Sequence, residues 1–402
     1  MKKNLLAFAL MAATGALAQA GTLGDGNLNI SGFGTLGVAK TNTDDVKFVR
    51  YNQASGTGNS PRLDLDTNLG LQASYLMTDT LSGTVQVLTR KNTSQQFTTD
   101  LTWAFLKYKA TDEVSIRLGR VQLPAFLISD YQNVGFANTM MRPPVEMYGQ
   151  EPLEGLDGGD VNWQHAFGDN NVTVQAFVGK SRGKLFVPAT ASVAHYDAPA
   201  YGLAVTLEHG PVTLRAAHLR AKVETNDLTS LNQLTDAYAK FGFTQLASDL
   251  TLKGGKHMSF TEIGATLDWN NIVAQAEYAQ RRQQDKVWVP QSNSWYVMGG
   301  YRFGKVLPYI GHSHLGAGDV KISVPTLPAP LAALGAQTRY LIQPPEQTNT
   351  LVGVRWDFAK NLALKVQYDH VQPKAKSGTL VYGPAIYNKN VNVLAAGVDF
   401  VF

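Results

Sequence analysis

Sixteen times between Asn27 and Phe402 the chain settles into a run in which apolar residues take every second position, and the connections between these runs tend to alternate between tight and long. Period-two alternation marks a strand with two different faces. In one run Leu63, Leu65, Thr67, Leu69, Leu71, Ala73 and Tyr75 alternate with Arg62, Asp64, Asp66, Asn68, Gln72 and Ser74. The core of a sandwich has no use for so charged a face, whereas a water-filled lumen does. The closing run puts Leu394, Ala396, Val398, Phe400 and Phe402 on one parity and Val393, Ala395, Gly397, Asp399 and Val401 on the other. A soluble sheet rarely leaves so apolar an edge unprotected, and a strand that closes a barrel has no free edge.

The tight connections fall at 77–80, 111–113, 167–171, 209–211, 270–271, 303–305 and 359–361. The longest of the others fall at 41–60, 121–155, 179–199, 220–258, 315–347 and 372–389, and both ends of the barrel region lie on the side of the tight turns. An even strand number with short turns at one end and longer loops at the other is the pattern of an outer-membrane barrel. The fold class is therefore all-β, a transmembrane antiparallel barrel of about sixteen strands with short periplasmic turns and long extracellular loops. Tyr75, Trp269, Phe303, Trp356, Phe358 and Phe402 are expected near the short-turn rim, and Trp295, Tyr278 and Tyr368 near the other, as two aromatic girdles.

Lys2 and Lys3, an apolar stretch over 5–17 and Ala18-Gln19-Ala20 predict a secretory leader over residues 1–20, followed by one barrel domain over 21–402. No later run of 18 apolar residues predicts a spanning helix. The absence of cysteine means that no disulfide supports the fold. Loss of Lys2 and Lys3 with the leader lowers the formal charge from +4 to +2, which points to neither nucleic acid nor a polybasic membrane surface.

A sixteen-strand barrel is too wide for side chains to fill, so a selective channel needs something to narrow it. The connection after strand five, 121–156, is the candidate constriction loop. Between Leu123 and Asp160 it and its exit carry Asp130, Glu146, Glu151, Glu154 and Asp157 against the single base Arg142, together with Phe126, Ile128, Phe136, Met140, Met147 and Tyr148, which suit a loop folded back against the wall. Arg62, Arg90, Arg117 and Arg120 are expected to form a facing basic wall, setting a transverse field across the opening. In the loop over 220–258, Leu228, Leu231, Leu234, Tyr238 and Phe241 recur at helical spacing and predict a short helix capped by Asn226. The prolines of 324–330 and 344–345 should stiffen the seventh loop.

The leader, the sixteen-strand alternation, the long loop after strand five and the terminal Phe402 resemble the general porins of Gram-negative outer membranes. That resemblance implies passive diffusion of small hydrophilic solutes through a water-filled channel, and often a homotrimer. It also implies contact with outer-membrane lipid and lipopolysaccharide, and recognition of the strand ending in Phe402 by the barrel-assembly machinery. The Pro-Glu-Phe-Gly-Gly loop signature of those porins is absent, and the second loop is short. The alternatives are a substrate-specific channel with a lumenal binding site and, less favoured, a barrel enzyme or surface receptor. His312 and His314 share a strand face without a third metal ligand nearby, and His218 has no serine beside it, so no catalytic, cofactor or metal site is expected.

Overall fold

The computed structural model describes residues 21–23, 26–151, 153–187, 191–384 and 386–402; the leader expected over 1–20 lies outside them. Sixteen long strands close on themselves in sequence order. The first six are β1 (Leu28–Thr41), β2 (Asn68–Leu76), β3 (Leu81–Lys91), β4 (Phe97–Lys109), β5 (Val114–Gln122) and β6 (Gly155–Phe167). Next come β7 (Asn170–Val187), β8 (Ser192–His209), β9 (Val212–Val223), β10 (Lys256–Trp269) and β11 (Ile272–Gln283). The last five are β12 (Ser292–Tyr301), β13 (Val306–Ala317), β14 (Glu346–Ala359), β15 (Leu362–Ala375) and β16 (Val391–Val401). A three-residue strand, Gly21–Leu23, pairs with the start of β1.

Closure is made by β16 against β1, in register from Val393 opposite Thr41 to Val401 opposite Phe33. Phe402 finishes the seam: its N–H and C=O each bond to Gly32 at 2.9 Å. On the outer surface the Phe402 and Phe400 rings lie over Gly32 and Gly34, where a side chain would leave them no room. Aromatic cover of a strand glycine restores packing that the missing side chain forgoes. At the short-turn end, Asn270 and Asn271 take φ of 46° and 70°, the left-handed pair that a two-residue hairpin turn requires.

The outer face carries Leu118, Val178, Ile263 and Ile310, all more than half exposed, between the expected aromatics; Trp269 and Phe303 are exposed at the short-turn rim and Trp295 and Tyr368 toward the other. No helix among the described residues is long and apolar enough to cross a membrane.

Four expectations are corrected. The strand expected from residue 62 starts only at Asn68, because Arg62–Thr67 turn away from the ladder. The Arg62 guanidinium pairs with Asp64, Asp66 is held by Arg142, and Thr67 Oγ1 bonds back to Leu63 O. Leu101, Trp103 and Phe105, which the period-two pattern of a strand over 99–109 is expected to put on one face, do not share it, because β4 bulges at Thr102, so Gln86 faces Trp103 while Val87 faces Leu101. One extra residue flips every later side chain; Leu101 meets lipid, and Phe105 turns inward to the Arg117 guanidinium at 5.3 Å. The long fourth connection is mostly strand, since β7 and β8 continue as a paired ribbon up to 187 and 192. In the fifth loop the predicted helix is two, α2 (Thr229–Lys240) and α3 (Thr244–Leu250), with α1 reserved for the short helix Val145–Tyr148. Its N-cap is Leu228 rather than Asn226, whose carbonyl instead accepts from Asn232 Nδ2 at 2.9 Å. The proline-rich seventh loop ends in a further helix, α4 (Ala332–Ile342), and Tyr238 of α2 bonds to its Thr338 at 2.7 Å.

Candidate pore constriction

Loop three, residues 123–154, is pinned at its root by the Leu123 N–H on Glu154 O at 3.0 Å, and it folds into the barrel. Its apolar side packs on the wall of β7–β14. Phe126 stacks on Tyr148 at 4.5 Å and meets the edge of Phe260 at 5.1 Å, in a cluster with Phe177, Leu219, Tyr296 and Leu351. This is why the loop is so rich in large apolar residues: it has a core of its own inside the lumen.

Polar anchors fix its path. Glu277 of β11 accepts the Leu127 N–H at 2.7 Å, the Tyr148 hydroxyl at 2.6 Å and the Tyr296 hydroxyl at 2.7 Å. Lys365 of β15, fully buried, lies 2.9 Å from Asp399 and donates to the carbonyls of Gly135, Asn138 and Met140 at 2.7, 2.5 and 3.0 Å. Arg142 reaches Asp66 at 2.9 and 2.7 Å and Asp369 at 3.1 Å, over the Phe48 ring. Such buried charges hold only while paired and hydrogen-bonded.

The nine expected constriction residues divide. Arg90 of β3 points inward and grips Glu154 at 2.5 and 2.6 Å, with Asn133 Oδ1 at 3.0 Å. Arg117 of β5 also points inward and binds Asp160 of β6. Asp130 is exposed at the loop surface and acts electrostatically on Arg117. Arg62 lies in the first loop, paired with Asp64. Glu146 is buried against the wall, accepting from Ser313 at 2.9 Å and Gln347 at 2.5 Å. Glu151 is buried at the loop root, accepting the Leu153 N–H at 3.1 Å. Arg120 and Asp157 pair at 2.6 Å on the outer surface. Arg120 stands three residues from Arg117, and Asp157 three from Asp160; an odd separation along a strand reverses the face. That signal was in the spacing. Lys365, Glu277, Asp369 and Asp399, the inward charges that hold the loop, were not singled out from the sequence, although their parity within β11, β15 and β16 marks them.

Burial raises the carboxyl of Glu146 above its ordinary value and pushes that of Glu151 to about 7, with Arg281 offsetting part of the effect. A carboxyl raised in the folded state contributes its full stability below about 4.5, its free value, and loses it as pH rises through 7. Ionising Glu151 costs the loop root about 3 kcal/mol by that difference. Hydrogen-exchange protection over 145–151, corrected for the intrinsic base-catalysed rate, should fall between about pH 4.5 and 7 and level off above, and in Glu151→Gln the fall should be reduced.

Three solved structures share the architecture. OmpF of Salmonella typhi, solved with daunomycin, superposes with a TM-score of 0.57 at 16% identity, over 93% of this chain and 97% of its own. The outer-membrane channel DcaP of Acinetobacter baumannii gives 0.54 at 13% identity, over 96% and 100%. The trimer form of OmpT of Vibrio cholerae gives 0.52 at 13% identity, over 93% and 99%. No curated protein matches the sequence. The family model described as Gram-negative porin matches residues 6–400. With a closed sixteen-strand barrel, a wet interior and an inward-folded third loop already in view, the chain belongs to the Gram-negative porin family, the outer-membrane channels of passive diffusion.

Proposed function

We propose that small hydrophilic solutes and ions pass between loop three and the wall of β3–β7, at a waist where Arg117 on the wall faces Asp130 on the loop, with the Arg90–Glu154 pair closing one side of it. The observation that carries this reading is the one-sidedness of loop three. Its apolar cluster lies against β7–β14 and its buried anchors are Glu277, Ser313, Gln347 and Lys365 of β11–β15, while Arg90 and Asn68 tie only Asn133 and the loop root to the other side, leaving Gln86, Arg117, Asp160, Asn162 and Gln175 as the polar lining opposite. Oppositely charged walls across a narrow aqueous gap orient dipolar solutes and bias ion passage.

The chain acts as a channel and not as an enzyme. In support stands the match of the chain to the Gram-negative porin model; His312 and His314 stand on the outer surface beside Trp295, away from the lumen. An apolar groove of about 440 Å³ crosses the outer face of β1–β5, lined by Leu28, Ala73, Tyr75, Val85, Leu106 and Leu118. It suits a second copy of the chain, in keeping with the trimer form of the Vibrio cholerae protein. Arg120, Lys180 and Arg182 stand on the outer surface and suit the phosphates of lipopolysaccharide. Phe402 at the seam is the feature for the assembly machinery to read.

The test is current through planar bilayers with a salt gradient. Steady ohmic conductance is expected in multiples of three. Arg117→Gln should shift the reversal potential toward cations, while Arg120→Gln, on the outer face, should leave it in place. Equal shifts from the two variants, or no conductance, would overturn the reading.

A further inference from the structure

Loop one carries Arg50 into a cleft against loop three, beside Arg90 and Lys91 of β3. The strand cations already have partners: Arg90 holds Glu154, and Lys91 Nζ lies 2.6 Å from Asp64. Both oxygens of Asp66 are taken by Arg142. Arg50 donates its backbone N–H to Gln53 Oε1 at 2.9 Å, but among the described residues its guanidinium has neither a carboxylate nor any other acceptor. It is half-buried; burial lowers its pKa, the Asp66 and Glu154 carboxylates offset part of that and Arg90 and Arg142 add to it, and the guanidinium stays charged. The two carboxylates near it are already gripped by Arg142 and Arg90, so the Arg50 fork is left without a hydrogen-bonded acceptor of its own, a costly state for a half-buried cation.

Two further donors line the same cleft. The Gln132 amide and Asn133 Nδ2 have no partner among the described residues, Asn133 spending only its oxygens on Arg90 and Asn68. The enclosed space is about 30 Å³, room for about two waters or one small head group. Leu65 and Val145 form an apolar side to it.

We propose that Arg50, with the Gln132 and Asn133 amides, binds the carboxylate of a small organic anion above the constriction. The proposal rests on the channel reading and adds a solute class to it. A guanidinium fork matches the two coplanar oxygens of a carboxylate with parallel N–H···O bonds, which an ammonium cannot reproduce. Beside the head group, Leu65 and Val145 leave room for little more than a methyl group.

The probe is sodium acetate, against sodium chloride of equal ionic strength, read in two ways: reduction of chloride current in bilayers, and calorimetric titration of the detergent-solubilised protein. Wild type should show saturable block and saturable heat. Arg50→Gln should weaken both by about tenfold or more, the loss of one bidentate ion pair, while conductance in chloride alone stays within about twofold. Arg50→Lys should fall between. Equal block in Arg50→Gln overturns the site. A wild type that conducts but shows no saturable heat also overturns the site and leaves the channel standing. Saturable, Arg50-dependent heat in a protein without conductance supports the site and overturns the channel.

Discussion

Replacing Lys365 by methionine should release loop three from the barrel wall. The ammonium is fully buried and is the common donor for the carbonyls of Gly135, Asn138 and Met140. Methionine fills much of the same volume but donates nothing. Three loop carbonyls then lose a partner, and Asp399 keeps only the Thr35 hydroxyl at 2.6 Å. Breaking a buried pair from one side typically costs about 3–5 kcal/mol, most of it the penalty of the charge left behind. Arg355 also donates to the Phe136 and Asn138 carbonyls, at 2.8 and 2.9 Å, so the segment does not come away entirely. Single-channel recording should show larger and noisier currents, and the thermal midpoint in detergent should fall. In Lys365→Met/Asp399→Leu part of the midpoint should return, because the stranded carboxylate is gone, while the noise should stay, because the carbonyls remain unheld. A quiet channel of unchanged conductance in Lys365→Met would mean that the apolar packing alone holds the loop.

Gly34→Val should prevent the barrel from closing. A Cβ at Gly34 comes 2.8 Å from the Asn68 carbonyl and into the Phe400 ring. The carbonyl belongs to the backbone of β2 and has nowhere to go, while the ring is one of two that cover the seam. Overpacking in a well-ordered site costs about 1–3 kcal/mol even when neighbours adjust. Here the strain falls on the β16–β1 pairing, the one that closes the barrel and abolishes its free edges. Little folded, heat-modifiable barrel is expected from refolding, whereas Gly168→Ala at an open turn should refold with only a modest loss. The Phe400→Ala/Gly34→Val double variant separates the causes. Recovery would assign the block to the ring, and continued failure to the carbonyl.

Much of the barrel was legible because water and lipid each select a side-chain class on opposite faces, and a strand presents them alternately. Tight turns such as 270–271 were legible from their left-handed asparagines. The bulge at Thr102 was not, since an inserted residue leaves the sequence apolar and β-branched on both sides while reversing which face follows. Nor was the start of β2 at Asn68, where Asp64, Asp66 and Thr67 find partners in Lys91 of β3, Arg142 of loop three and Gly37 of β1 and leave the ladder to reach them.

The sequence by itself determined the class of fold, the strand order, the location of the inward loop and its need for an apolar bed, because each rests on local periodicity and composition. Only the tertiary structure decided which charges meet. Arg90 closes on Glu154 across 64 positions, Arg142 on Asp369 across 227, and Lys365 on a loop 225 to 230 residues away. An ion pair is fixed by the distance between two side chains and by the water removed around them, and neither is set by local spacing once the loop bearing one partner folds back through the middle of the barrel.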